Sequence, residues 1–427
     1  LGILLEQSKR NMPYYLSMGC IGTAIVVLPA GMSRSAWIAV VVSCAWVYAL
    51  YRLDRKQAAT RLRQHKRWYI IGGILGGILL LGGSASLYTL KKDSADGRFL
   101  MWKITTKAIQ KQPITGTSLG GFPAAYAETQ AEYMASGKAT EQEKLVAGCP
   151  EYAFNEYLQI GLEQGLVGLA LFIGWLGLLF YKGIKNKRYA CCGGLMSLAI
   201  FAFSSYPLQL PEFWVVLIFL GVMSVTPDKD EIRENQAESN GHRWGKQIFF
   251  MGIAILGIGL FWMQKDHYKA YQQWNKAQMF YNNKAYEAAL EVYEPLYPLL
   301  KHKPEFLFEA AQSLSKTGQY EKANEYLERA VLLSSDPMLY YVMAKNEQCL
   351  GEYRQAEKHL LHAIDILPER IYPYYLLMNL YTEPSYFQPA KLKMAIDSVL
   401  TKKPKVESSA IKEMKEKARS MLNNTSI

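Results

Sequence analysis

The stretch Glu151–Phe172, EYAFNEYLQIGLEQGLVGLALF, decides how the rest of this chain is read. Its first half is polar and closes a long hydrophilic segment. Its second half is apolar and opens a run long enough to enter a bilayer. Asn155 and Glu156 stand at the join, where water meets lipid. Polar groups are expensive at a membrane boundary and mark it as a functional candidate.

A span needs roughly 20 apolar residues. Outward from this join, seven stretches read as spans: about 13–32, 35–51, 69–90, 158–181, 189–206, 211–226 and 247–264. The fifth and sixth are short and are joined by SSYPLQLPE. Loop 52–67 carries Arg52, Arg55, Lys56, Arg61, Arg63, Lys66 and Arg67, and loop 182–188 carries Lys182, Lys185, Lys187 and Arg188. Short basic loops stay in the cytoplasm. Alternation then puts Ser33–Ala36, the 91–152 loop, Pro207–Pro211 and everything after Gln264 outside. The lysines of the 91–152 loop do not oppose this, because long loops translocate largely regardless of charge. The expected fold class is all-α: a polytopic bundle over 1–264, a helical solenoid over 265–404, and a capping helix and tail over 405–427.

Bulk properties agree with two unlike halves. Half of the 427 residues are hydrophobic, yet mean hydropathy is only −0.05. The net charge of +11 flanks apolar runs, as the positive-inside rule expects, so it does not point to nucleic acid. Cys20, Cys44, Cys191 and Cys192 lie in apolar stretches and read as packing residues. Cys149 and Cys349 would share an oxidising compartment, but no metal-type spacing occurs among the six cysteines. The chain begins with Leu1, which suggests a fragment or processed form, and no signal peptide is read in it.

Residues 267–402 repeat. Tyr286, Tyr320 and Tyr353 recur at intervals of 34 and 33, with Ala289, Ala323 and Ala356 in step. Gly318 and Gly351 precede the last two tyrosines at one offset, and Ala330 and Ala363 follow at another. The first unit lacks the glycine, and in the last Pro389 stands where alanine is expected. The pattern resembles the tetratricopeptide repeat, a helix–turn–helix unit whose small residues let two helices approach closely. Tyr340, Tyr341, Tyr374 and Tyr375 either line a concave surface or, as the more economical reading, pack between repeats. The tail PKVESSAIKEMKEKARSML reads as one charged amphipathic helix.

The chemistry available outside the membrane is cationic and carboxylate. His65 and His242 fall on the cytoplasmic side. His267, His302, His359 and His362 fall in the repeats. No HExxH, CxxC pair or P-loop occurs. Asp228-Lys229-Asp230 is a solvated cytoplasmic linker rather than a metal site. Arg34, in SRSAW between two spans, and Arg98, in GRFLMWKITTKAIQKQPITGTSLGGF beyond the third, remain. Each also has an ordinary interfacial reading. Two guanidinium forks on one outer face suit a pyrophosphate and neutralise charge on a leaving group.

These pieces together resemble the O-antigen ligase and O-antigen polymerase superfamily of bacterial inner-membrane glycosyltransferases, over roughly residues 13–226. Ser33-Arg34-Ser35-Ala36 is similar to the family's Ser-Arg-Gly-Ala turn. Gly97-Arg98 with Trp102, Pro113 and the Gly116–Gly121 loop is similar to its loop signature. Asn155-Glu156-Tyr157-Leu158-Gln159 with Gly165-Leu166-Val167-Gly168 is similar to its His-Asn-x-x-Leu segment entering a span. The resemblance implies transfer of a glycan from undecaprenyl pyrophosphate to an acceptor hydroxyl, without metal or other cofactor, on the periplasmic face. The acceptor is another glycan, lipid A core or a protein. Arg34 and Arg98 match arginines that hold the pyrophosphate. The family's catalytic histidine position is Phe154 here, which cannot take a proton. Glu156 is the nearest substitute base, Glu151 the next, with Asn155 beside the acceptor. A carboxylate in a partly desolvated place can have its pKa raised into a useful range. The family has about a dozen spans, so upstream spans are expected to be missing. The rival reading is a non-catalytic membrane anchor presenting the repeats to an envelope protein. A transporter is a third, without broken-helix symmetry to favour it.

Overall fold

The computed structural model describes residues 11–31, 33–54, 92–226, 243–404 and 406–424, and every regular element among them is helical. The expected span 69–90, most of the basic loop 52–67 and the segment holding Asp228 and Asp230 lie outside the described residues. In chain order the first helices are α1 (Met12–Ala30), α2 (Arg34–Asp54), α3 (Lys92–Lys111), α4 (Phe122–Ala135), α5 (Glu141–Val146), α6 (Glu156–Glu163), α7 (Gly165–Lys185), α8 (Tyr189–Ala202) and α9 (Pro211–Val225). Then follow α10 (Arg243–Met263), α11 (Lys265–Asn282), α12 (Tyr286–Leu300), α13 (Pro304–Lys316), α14 (Tyr320–Val331) and α15 (Met338–Leu350). The last are α16 (Tyr353–Ile366), α17 (Ile371–Leu380), α18 (Pro389–Thr401) and α19 (Ser409–Asn424). The chain divides into two units. One holds Leu1–Arg98, Gln112–Gly116 and Tyr152–Arg243; the other holds Phe99–Lys111, Thr117–Glu151 and Trp244–Ile427.

In the first unit α2 packs along α8, and α7, α8 and α9 pack on one another. Among the described residues, two helical stretches are long and apolar enough to cross a membrane, Ser35–Arg52 and Gly165–Lys185. The helices α8 and α9, of 14 and 15 residues, rise only about 21–23 Å at 1.5 Å per residue, short of the roughly 30 Å hydrocarbon core. The stretch expected as one span, 158–181, is broken at Gln164 into α6 and α7. The cause is a loop driven into the break. Leu166 N donates to Pro113 O at 2.7 Å. Gly165 is left-handed, with φ +69°, and a Cβ there would lie 2.0 Å from Ile114 O. Gly116 is likewise left-handed, and a Cβ there would lie 2.5 Å from the carbonyl of Glu163. Only a residue without a side chain satisfies both the backbone angle and the approach on each side.

In the second unit α11 to α18 form successive antiparallel pairs, α11 with α12, α13 with α14, α15 with α16 and α17 with α18, and α19 closes the stack against α18. Ala289, Ala323, Ala330 and Ala363 are fully buried and Ala356 nearly so, which is where close helix contacts need a methyl. Gly318 and Gly351 sit in the turns within their pairs, both left-handed, with φ +80° and +79°. In the first pair, where the glycine is missing, Lys284 takes the same left-handed place with φ 61°. The anomaly at Pro389 is a register shift. The helix α18 starts at Pro389 itself, as proline favours. Leu392, 1% exposed, then stands at the same distance from its helix start as Ala356 does from that of α16.

The hydrophilic segment after Arg98 is folded. Its helix α4 packs against α16. Gln130, fully buried, donates through Nε2 to Ile366 O at 2.9 Å and to Gly148 O at 3.1 Å, and accepts from Tyr126 OH at 2.7 Å. Ser335 Oγ donates to Pro150 O at 3.1 Å. Thr140 and Glu143 form a capping box on α5. The Glu143 carboxylate is pushed up by burial, but hydrogen bonds from Lys103, the Thr140 backbone and Tyr133 outweigh this and bring it to about 2. In α10, Phe250, Ile253, Leu256, Ile258, Phe261 and Trp262 are all exposed, so the helix is apolar on every described side. Such a helix needs a non-aqueous surround.

Candidate functional site

The helix α6 is started by Asn155, whose Oδ1 accepts from Leu158 N at 3.1 Å. This cap fixes Glu156 at the first helical position, where the helix dipole favours a carboxylate. Glu156 is 1% exposed. Its Oε1 accepts from Leu208 N at 2.6 Å and its Oε2 accepts from Gln209 Nε2 at 3.1 Å. Burial pushes its pKa up, and the hydrogen bonds from Gln209 and Leu208 only partly offset this. One turn on, Gln159 accepts from Ala153 N at 2.9 Å and donates to Glu163 at 3.1 Å.

Arg98 reaches the same connection from the other direction. Its Nη1 donates to Ser204 O at 2.9 Å, and its guanidinium lies 5.3 Å from the centre of the Phe154 ring. Phe154 is left-handed, with φ 49°, a conformation that costs a branched-free aromatic roughly 1–2 kcal/mol. Its ring meets Tyr206 edge-on at 4.9 Å, and Tyr152 stacks on Tyr206 at 5.2 Å. The segment 204–209 between α8 and α9 is thus held by an arginine and a carboxylate at once.

Of the sequence-derived candidates, Arg98, Asn155 and Glu156 come together. Arg34 opens α2, behind Ser33, whose Oγ accepts from Ala36 N at 3.4 Å; its side chain lies outside the described residues. Glu151 belongs to the other unit. The residues that the sequence reading passed over are Ser204, Tyr206, Leu208 and Gln209. The available signal was Tyr206 and Gln209 between two short apolar runs, flanked by Pro207 and Pro211.

All five candidates, Arg34, Arg98, Glu151, Asn155 and Glu156, fall inside one recognised region. Residues 19–173 match the O-antigen ligase family. The ligase match thus takes in Arg34, Arg98, Phe154, Asn155 and Glu156 and stops before the 204–209 segment. Residues 282–363 match the family described as anaphase-promoting complex, cyclosome, subunit 3. No curated protein matches the chain. Among solved structures, the chain is similar to MamA from Desulfovibrio magneticus RS-1, at 17% identity over 35% of this chain and 76% of that one, with a TM-score of 0.28. It is similar to the Yersinia enterocolitica type III secretion chaperone SycD, at 19% identity over 29% and 90%, with a TM-score of 0.24. It is also similar to a putative kinesin light chain from Podosopora anserina, at 17% over 37% and 88%, with a TM-score of 0.30.

Proposed function

We propose that this chain is a multi-pass glycosyltransferase of the bacterial inner membrane. It moves a glycan from undecaprenyl pyrophosphate to an acceptor hydroxyl on the periplasmic face, in the manner of an O-antigen ligase or polymerase. The observation that carries the reading is the meeting of Arg98 with the Phe154–Glu156 segment around one connection, within the region matched to the ligase family. In this reading Arg34 and Arg98 hold the pyrophosphate as forked donors. Loss of the glycan from the pyrophosphate leaves negative charge on the leaving oxygen, which a fixed guanidinium stabilises. Asn155 orients the acceptor side, and Glu156 takes the acceptor proton. The apolar surfaces of α2, α7 and α10 support membrane insertion. The domains are proposed as 1–264 in the membrane, 265–404 as repeats available to an envelope protein, and 405–427 as cap and tail.

The test is transfer from undecaprenyl-pyrophosphate glycan in membranes of a strain lacking the native protein. Arg98→Ala and Arg34→Ala each abolish transfer, and Lys rescues neither fully. Full activity in both alanine variants defeats this site. A second reading has its own support. Glu156 has both oxygens engaged and is almost fully buried, and Phe154 cannot accept a proton. Both suit a non-catalytic anchor that presents the repeats. That reading requires Arg98→Ala to lower thermal stability without any transfer activity existing to be lost.

A further inference from the structure

The second unit contains a cleft of about 910 Å³ that none of the preceding chemistry uses. Its lining includes Glu151 and Asp336, Glu305 on α13, Tyr341 on α15, Arg370 beside α17 and Tyr372 within it. With Glu309, four carboxylates and one guanidinium line it, a formal balance of −3. Acidic residues alone do not define a site. The second observation is Tyr341. It is only 4% exposed, yet its hydroxyl makes no hydrogen bond among the described residues. Tyr341 lines the cleft beside Arg370, Cys149 and Asp336, and its hydroxyl is within electrostatic reach of all three. A buried polar group without a partner is destabilising, and a bound ligand is what would supply one.

We propose that this cleft binds a neutral or amino-bearing saccharide. The choice of saccharide over peptide rests on the glycan-transfer reading above. The chemistry fits it. Tyr372, half-buried and held edge to face by the buried Tyr341 at 5.3 Å, gives an aromatic surface for the apolar face of a sugar ring. The exposed carboxylates of Glu151, Glu305 and Asp336 accept from ligand hydroxyls, while Arg370 and the Tyr341 hydroxyl donate to them. The negative balance disfavours uronic acids. The cleft would hold the acceptor glycan, or the grown end of the donor glycan, on the repeats.

The experiment is calorimetric titration of the full chain in nanodiscs with three probes: a neutral hexose tetrasaccharide, the same length containing uronic acids, and a lysine-rich decapeptide. The neutral saccharide binds, the uronic form binds at least tenfold more weakly, and Tyr341→Phe weakens the neutral form at least tenfold. Phenylalanine keeps the ring packing, so the variant folds. Unchanged binding in Tyr341→Phe, no saccharide binding, or binding of the peptide in place of the saccharide each overturns the proposal. Transfer activity is read separately. Saccharide binding without transfer defeats the catalytic reading and leaves the cleft standing; transfer without saccharide binding does the reverse.

Discussion

In the proposed mechanism Glu156 is the residue on which the chemistry turns. Its carboxyl is raised by burial, so the folded protein binds its proton more tightly than the unfolded chain does. It therefore favours folding below the ordinary carboxylate range and loses that contribution as pH rises through the raised value. As a base it must be ionised, so transfer rises with pH through the same interval. Glu156→Gln keeps a hydrogen-bonding side chain of the same shape, and it is expected to slow transfer by about 10²–10⁴-fold and flatten that rise. A rate–pH profile of the two proteins checks it; an unchanged profile removes Glu156 as the base and leaves it a clamp on Leu208 and Gln209. The sequence singled out Arg98 and Glu156 because charge beside an apolar run is rare and conspicuous, and Asn155 because a polar residue opens such a run. Ser204, Tyr206 and Gln209 were not. Their link reads as a plain connection until Arg98 and Glu156 are seen to grip it from positions roughly 50 and 110 residues away.

At the scale of elements, two glycine runs noted separately in the sequence turn out to be one device. Gly116 and Gly165 both adopt left-handed backbone where the 113–116 loop enters the break between α6 and α7. A hydropathy profile sees 158–181 as continuous, because the break needs no polar residue, only two missing side chains. Gly116→Ala meets both backbone strain and the Glu163 carbonyl at 2.5 Å, whereas Gly120→Ala, with φ +75°, meets nothing within 4 Å. The second is expected to cost roughly 1–2 kcal/mol for the left-handed backbone alone, and the first clearly more, with loss of transfer. Thermal unfolding of the two variants separates clash from strain; equal melting temperatures would show that the loop yields. The repeats were more legible, since Tyr, Ala and Gly recur by period, but Lys284 and Pro389 looked like failures of the pattern. Lys284 keeps the left-handed turn without glycine. Lys284→Gly should therefore stabilise the protein by about 1 kcal/mol, read as a rise in melting temperature. A fall would mean that the lysine side chain holds the turn by contacts stronger than the strain.

For the whole molecule the strongest constraint is a parity. The helix α4, from the segment before the join at Asn155, packs on α16, from the end of the chain, with Gln130 bonded to Ile366 O and Ser335 bonded to Pro150 O. Two segments packed as one core must lie on the same side of any membrane the intervening chain crosses. Between residue 152 and residue 265 the sequence reading places four spans, 158–181, 189–206, 211–226 and 247–264. An even number returns the chain to its starting side, so the four-span reading is compatible with that packing, which by itself fixes neither the number of spans nor the side. An error of one span, such as the short α8 and α9 failing to cross separately while α10 does, would break the agreement unless both were lost together. Single cysteines introduced at Ala135 and Gly318, both exposed, are expected to label identically with a membrane-impermeant maleimide applied to spheroplasts, and both from the periplasmic side. Labelling of one and protection of the other would contradict the docking of α4 on the repeats. Protection of both in spheroplasts, with labelling only after lysis, would keep that docking but turn the protein over, carrying Arg98 and Glu156 away from the face on which lipid-linked glycans are transferred.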